Sequence, residues 1–316
     1  MGLKRFLGNI DNFTVSDAIT KADSVINHSG YSAISCSVSG GADSDVMMDI
    51  VHKLDEARNV RYYFVNTGIE YQATKDHIQY LRDKYDLHDY KFKEIKPKPI
   101  PLVVKDVGQP FISKMVSSNI KTLQKHNFNF VDSDYNSLVD KYPKCTSALK
   151  WWCNKASHRR YNIEYNKWLK EFMIENKPWF SISDDCCIYV KKHPFVSIHS
   201  DLMITGLRQS EGGARGVYIK SCFSHNKRWD NYRPLFWFSN SDRLYYENKF
   251  NIVHSKCYTE YGFVRTGCAC CPFGIDFEKE LDIIKVFEPN IYTAVNNIFY
   301  DSYEYTRMYR RFRESK

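Results

Sequence analysis

Ser35-Cys36-Ser37-Val38-Ser39-Gly40-Gly41-Ala42-Asp43-Ser44 is a run of small and β-branched residues that breaks at two glycines and then enters a helical pattern. Ahead of it, Tyr31, Ala33, Ile34 and Val38 suit a strand buried on both faces. Behind it, Val46, Met47, Met48, Ile50 and Val51 give the next segment an apolar helical face. Strand, glycine turn and helix in direct succession read either as a phosphate cradle or as an ordinary βα turn with a Ser or Asp cap. Gly40 and Gly41 let the backbone approach an anion, and the first N–H groups of the helix, at its positive dipole end, face the same point. Ser39 and Ser44 offer hydroxyl donors, and the stretch matches neither the GxxxxGK[ST] nor the GxGxxG pattern.

Working outward, Val15, Ala18, Ile19, Ala22, Val25 and Ile26 recur at helical spacing over residues 13–29, with Gly30 as a stop. After the glycine loop and its helix, residues 60–65 read as a strand ending at Asn66-Thr67-Gly68-Ile69-Glu70. A helix to about residue 85 and a strand over 90–95 complete a β-α-β-α-β alternation, which predicts an α/β fold with a parallel sheet and right-handed crossovers. Ligands of such sheets sit beyond the carboxyl ends of the strands, which makes Gly68 and Glu70 candidates beside the glycine loop. Lys96-Pro97-Lys98-Pro99-Ile100-Pro101 closes the third strand, because three prolines so close together continue neither a strand nor a helix.

Residues 101–185 then read as a helical insertion over the nucleotide edge. Within it Tyr161, Tyr165, Trp168 and Phe172 recur at helical spacing, so a core-facing stripe is favoured over a basic, aromatic track for nucleic acid. Strand character returns over 201–206, ending at Gly206, and Arg208 and Arg215 follow it, placed for bidentate contact with phosphate or sulfate oxygens. The expected organisation is residues 1–100 as the first half of a nucleotide-binding domain, 101–185 as the insertion, 186–275 as its remainder with a cysteine-ligand region, and 276–316 as C-terminal helices.

The net charge of +8 over 316 residues favours an anionic partner without choosing among nucleotide, nucleic acid and acidic protein, and leaves the oligomeric state open. No apolar run approaches the ~18 residues of a membrane span, and no signal-peptide core follows Lys4 and Arg5, so a cytoplasmic location without membrane contact is expected. Ten cysteines in such a chain point to reduced thiols or metal ligands rather than disulfides. Cys268-x-x-Cys271 presents two thiolates from one turn, and with Cys186-Cys187 it supplies four sulfur ligands; Cys222 or Cys257 could replace one of them. Four thiolates suit a [4Fe-4S] cluster or, as the alternative, tetrahedral Zn²⁺.

Ser39-Gly40-Gly41-Ala42-Asp43-Ser44 resembles the SGGxDS signature of the PP-loop, the pyrophosphate-binding loop of the adenine-nucleotide α-hydrolase superfamily. Asn66-Thr67-Gly68-Ile69-Glu70 is close to the D-T-G-x-E usual at the family's second loop, with Asn in place of Asp. Cys186-Cys187-Ile188-Tyr189-Val190-Lys191-Lys192, Ile204-Thr205-Gly206-Leu207-Arg208, Pro234-Leu235-Phe236-Trp237 and Thr266-Gly267-Cys268 through Pro272 occur in the order seen in the phosphoadenosine phosphosulfate (PAPS) reductase family. The likeness is strongest to members carrying a [4Fe-4S] cluster on CC and CxxC pairs. A bacterial and phage subgroup also shares Ser210-Glu211-Gly212-Gly213-Ala214-Arg215 and Asp301-Ser302-Tyr303-Glu304-Tyr305-Thr306.

The resemblance implies an adenine-nucleotide α-hydrolase-like sheet and a bound adenine nucleotide, ATP or PAPS. Ser39, Gly40, Gly41, Asp43, Ser44, Gly68, Glu70, Gly206, Arg208 and Arg215 would form its site, with Asp43 and Arg208 in catalysis, Asp43 through Mg²⁺. It further implies cleavage of ATP to AMP and pyrophosphate to activate an acceptor for sulfur chemistry, with a nucleic acid or a sulfur-donor protein as partner. Sulfonucleotide reductases use a nucleophilic cysteine in a C-terminal tail, whereas residues 272–316 contain none. Reduction of PAPS is therefore the alternative, with the thiol drawn from Cys145, Cys153 or a partner. A metal-stabilised nucleic-acid-binding protein is the non-enzymatic reading.

Overall fold

Strand β1, Ile34–Val38, lies inside a six-stranded sheet of order β3-β2-β1-β4-β6-β5. It is flanked by β2, Val60–Val65, and β4, Leu202–Thr205, both parallel to it, in the register Ile34↔Val60 and Ile34↔Leu202. β3, Phe92–Ile95, and β6, Asp230–Tyr232, extend the sheet in parallel, and the two-residue β5, Phe223–Ser224, pairs antiparallel at the edge. The parallel α/β sheet expected from the alternation is therefore present. β1 is buried along its length, its small Ser35 included, with Ser37 half-buried. This computed structural model describes residues 2–8, 10–212 and 218–316.

The carboxyl ends of β1, β2 and β4 share one edge, and there β1 passes through Gly40 and Gly41 into the helix Ala42–Leu54. Val46, Met47, Met48, Ile50 and Val51 of that helix are fully buried, as their spacing indicates. Asp49 anchors its polar side, accepting hydrogen bonds from Tyr85 Oη at 2.8 Å, Tyr246 Oη at 2.6 Å and Lys53 Nζ at 2.5 Å. Asp49 is thus buried but fully matched, the condition under which a buried carboxylate is tolerated.

The chain divides into two compact units. The first takes the described residues of Met1–Asn66, Glu70–Lys96 and Pro194–Gly267, and holds the whole sheet. The second takes Thr67–Ile69, Pro97–His193 and Cys268–Lys316, and is helical. Its insertion contains helices Ile100–Val107, Lys114–Lys125, Tyr135–Lys141, Thr146–Trp152 and Leu169–Glu175. The proline run stops β3 as expected, but Pro101 then opens a helix, in the first turn where the missing N–H is harmless.

One expectation is overturned within this unit. Residues 159–172 do not form one helix with a buried aromatic stripe: Arg159–Tyr161 and Ile163–Tyr165 are separate 3₁₀ turns, and regular helix starts only at Leu169. Phe172 is buried, whereas Tyr165 is 63% and Trp168 43% exposed. Asparagine chemistry interrupts the helix. Asn162 Oδ1 accepts from Ala156 N at 2.8 Å and closes a turn, and Trp168 takes a left-handed φ of 64°.

The second unit's core is completed by the last helix, Pro289–Glu314, whose Tyr305 and Tyr309 pack with Phe111, Phe172 and Trp152 among others. The Asp301–Thr306 motif is a tether. Asp301 accepts from Gln109 Nε2 at 3.1 Å and Trp179 Nε1 at 2.9 Å, and Tyr305 Oη donates to Asn176 O at 2.6 Å. No described helix is long and apolar enough to cross a membrane.

Candidate functional site

In the first unit the glycine loop is shaped by its own side chains. Gly40 takes φ +67°, a left-handed conformation natural to glycine, and a Cβ there would meet Thr74 Cγ2 at 3.0 Å. Ser44 Oγ accepts the Ser39 N–H at 2.9 Å, and Ser39 Oγ takes the Gly41 N–H at 3.4 Å, so both hydroxyls brace the turn. Gly206, after β4, comes so near the start of the helix that a Cβ would sit 3.0 Å from Asp43 O. A glycine there is what lets β4 and the loop close together.

At the helix N-terminus the Ala42 N–H donates to Tyr258 Oη at 3.1 Å, and Tyr258 Oη lies 3.2 Å from Thr266 Oγ1. Gly41 packs under these two hydroxyls, each 3.3 Å from where its Cβ would be. Asp43, in the first turn, binds two guanidinium groups through one oxygen: Arg208 Nε at 2.7 Å and Arg243 Nη1 at 3.2 Å. Burial alone would raise the Asp43 carboxyl, but a hydrogen bond with Glu211 and the charges of Arg208 and Arg243 hold it below the usual carboxylate range. Arg208 is itself buried and also donates from Nη1 to Ser210 Oγ at 2.9 Å and Asn240 Oδ1 at 3.0 Å.

A second layer of charge lies behind. Arg243 Nε is 3.0 Å from Glu247 Oε1, which is 3.1 Å from His254 Nε2, and His254 Nδ1 is 2.8 Å from the fully buried Asp45. His77 Nε2 reaches the same Asp45 oxygen at 3.0 Å. Burial would lower the His254 pKa, yet contact with Asp45 and Glu247 raises it to about 9. Asp43, Arg208, Gly40, Gly41, Ser39, Ser44 and Gly206 are thus brought together. Arg243, Tyr258 and Thr266 belong with them and were not singled out from the sequence. Arg215 lies outside the described residues. Glu70 is buried in this unit, and Asn66 Nδ2 donates to Glu94 Oε1 at 2.9 Å.

In the second unit Gly68 takes φ +91° in the short segment Thr67–Ile69, which meets the CxxC turn: Ala269 N donates to Ile69 O at 2.8 Å, and Thr67 Oγ1 lies 3.7 Å from Cys268 Sγ. Cys270 takes a left-handed φ of 44°, and its carbonyl accepts from Tyr303 Oη at 2.6 Å. Ahead of the CC pair, Lys121 Nζ binds Asp184 and Asp185, each at 2.8 Å, and a π-helical turn, Ile188–Lys192, follows it.

Burial pushes the Cys186 thiol up to about 12, with Cys268 and Cys187 adding to it; burial, Cys268 and Cys187 push Cys271 up as well. The four predicted thiols therefore share one electrostatic neighbourhood. Among the described residues, however, no three His, Cys, Asp or Glu side chains converge as ligands of one metal ion. Four cysteine thiols are the donor set that either a [4Fe-4S] cluster or Zn²⁺ would take. Cys257, in the first unit, is buried with its sulfur 3.5 Å from Thr74 Oγ1.

Residues 33–101 match the model of the phosphoadenosine phosphosulfate reductase domain. Among solved structures, PAPS reductase from Candida auris in a phosphate complex is 11% identical, at TM-score 0.40, over 84% of this chain and 93% of that one. The U34-tRNA thiolase NcsA from Methanococcus maripaludis, with its [4Fe-4S] cluster, is 14% identical, at TM-score 0.40, over 99% and 85%. FMN adenylyltransferase from Candida glabrata in complex with ATP is 11% identical, at TM-score 0.41, over 84% and 67%. A comparison with curated proteins finds no match.

Proposed function

We propose, from the match of residues 33–101 to the phosphoadenosine phosphosulfate reductase domain model, that the chain is a PP-loop enzyme that binds ATP, cleaves it between the α and β phosphates, and adenylates an acceptor for sulfur chemistry. The observation that carries this reading is the pairing of a left-handed Gly40 turn at a helix N-terminus with two arginines collected on Asp43 of the same helix. Backbone N–H groups of the loop would take the β and γ phosphates. Arg208 and Arg243, held ready by Asp43, would turn to the phosphates and stabilise charge on the departing pyrophosphate. One carboxylate already matched by two cations is not a standing Mg²⁺ site. It fits Mg²⁺ that arrives with ATP, when the arginines exchange Asp43 for phosphate oxygens.

Cys186, Cys187, Cys268 and Cys271 would hold a [4Fe-4S] cluster, which when bound supplies a soft iron centre suited to sulfur. The reductase alternative draws less support, because Cys145 and Cys153 are both pushed up by burial and so are poor thiolate nucleophiles. The test is to incubate the anaerobically purified protein with ATP and Mg²⁺, or with PAPS and a reductant, and measure pyrophosphate and sulfite. Pyrophosphate without sulfite is expected. Sulfite release from PAPS with no pyrophosphate from ATP would overturn the proposal in favour of reduction.

A further inference from the structure

The segment that fails to form a buried helix leaves an open concavity of about 650 Å³ in the second unit, lined by His158, Arg159, Arg160, Glu164, Tyr165 and Lys167. We propose that this concavity binds single-stranded nucleic acid, its cations contacting phosphates and the exposed ring of Tyr165 in its lining, with that of Trp168 next in the chain to Lys167, stacking unpaired bases.

Charge is in excess here. The Arg159–Glu164 pair is loose, at 3.7 Å between exposed groups, and among the described residues Arg160 and Lys167 have no ion-pair partner. The Arg160 guanidinium instead lies over the Tyr161 ring at 4.7 Å, an arrangement that presents a flat cation rather than a neutralised one. Beside these cations Tyr165 and Trp168 expose two large aromatic rings within four residues of chain. Trp168 also keeps a left-handed backbone that a bulky side chain rarely adopts, and strain of that kind collects at binding sites.

The platform beneath is firm. Tyr309 Oη donates to Lys167 O at 2.7 Å, Leu169 N donates to Asn166 O at 3.0 Å, and Ile163 and Leu169 are fully buried on either side. Rigid exposed rings interleaved with cations are the means by which unpaired bases and their backbone are held together; a duplex hides the base faces, and a mononucleotide offers too few phosphates to span the cations.

This inference rests on the proposed acceptor chemistry for its ligand class but is read from oligonucleotide binding, so it stands or falls separately from pyrophosphate release. Fluorescence anisotropy of the full-length protein with labelled single-stranded oligo-dT and oligo-U would be measured at two salt concentrations. Wild type is expected to bind one or both, with log Kd linear in log salt. Replacing Arg159, Arg160 and Lys167 together by Ala should weaken binding and reduce the salt slope by about 2, because fewer phosphates are then neutralised. Tyr165→Ala should weaken binding about tenfold or more, and Tyr165→Phe should restore it, because stacking needs the ring and not the hydroxyl. Duplex bound as tightly as single strand, ATP competing at equal phosphate concentration, no binding by wild type, or variants that bind as wild type would each overturn the proposal.

Discussion

The glycine-loop unit and the cysteine unit solve opposite electrostatic problems. Around the loop the described charges lie in opposed pairs: Asp43 faces Arg208 and Arg243, and Asp45 and Glu247 face His254. Around Cys186 and Cys271 burial drives the thiols toward the neutral form, and no charge of comparable size offsets it. A site of the first kind can stand empty and folded, its ions satisfied by each other until a ligand exchanges for one partner. A site of the second kind would gain charge from the metal centre proposed for it, which would favour thiolates and tie segments together. Loss of ligand should therefore be silent for the fold in one unit and costly in the other.

The largest effect separating the two is expected from Gly41→Val. Gly41 has φ −91°, open to any residue, and its neighbours are side-chain hydroxyls at 3.3 Å that can give way, so the fold should survive. The new methyls would cover the helix N-terminus, and ATP binding measured by calorimetry should fall by about a hundredfold or more, with unchanged circular dichroism. Equal affinity in the folded variant would break the first half of the comparison.

Cys268→Ser should do the reverse. In anaerobically purified protein it should lose iron and acid-labile sulfide and lower the melting temperature by several degrees, for a loss of about 2 kcal/mol or more, while Cys222→Ser in the other unit keeps both. Stoichiometric zinc in an iron-free wild type would reverse the choice of centre, and metal lost from Cys222→Ser alone would reverse the choice of ligands. Next in size is Arg208→Lys, which cannot bridge Asp43, Ser210 and Asn240 with one ammonium. Pyrophosphate release should fall about tenfold or more, with a melting point within a few degrees of wild type; full activity would remove Arg208 from the reaction.

The remaining effect is a pH dependence in the sheet unit. The His254 pKa is raised from 6.5 to about 9 in the folded protein. Its contribution to stability is therefore complete below pH 6.5, declines as pH rises, and is gone above about 9. On the order of 2 kcal/mol should be lost across that window in chemical denaturation, and His254→Gln should flatten the decline. A wild-type curve already flat from 6.5 to 9 would show that His254 is not charged between Asp45 and Glu247.

Much of the loop was legible because its signals are local. The glycine pair, the buried run before it and the apolar face after it lie within some twenty residues, and each reports one element without help from the rest. The partners of that loop were not legible. Arg243 meets Asp43 across 200 residues and Tyr258 meets Ala42 across 216, so no spacing rule reaches them. β5 and β6 escaped for another reason: two and three residues, with Asp230 and Asn231 among them, carry no strand period. Helical spacing failed over 159–172 because periodicity counts apolar positions and is blind to Asn162 and Trp168, whose backbone geometry ends the turn.

The way the second unit is assembled bears on when it can fold. Its insertion, Pro97–His193, shares a core with Tyr305 and Tyr309 of the last helix, and Asp301 ties Gln109 to Trp179. During synthesis the insertion emerges from the ribosome long before those residues exist, so it waits with Phe111, Phe172 and Trp179 lacking their Tyr305 partner. The sheet unit ends at Gly267, so all of its residues emerge before the last helix does. Nascent chains stalled before residue 300 should accordingly show a protease-resistant sheet and a labile insertion, an order of events written into the chain's path rather than into either site.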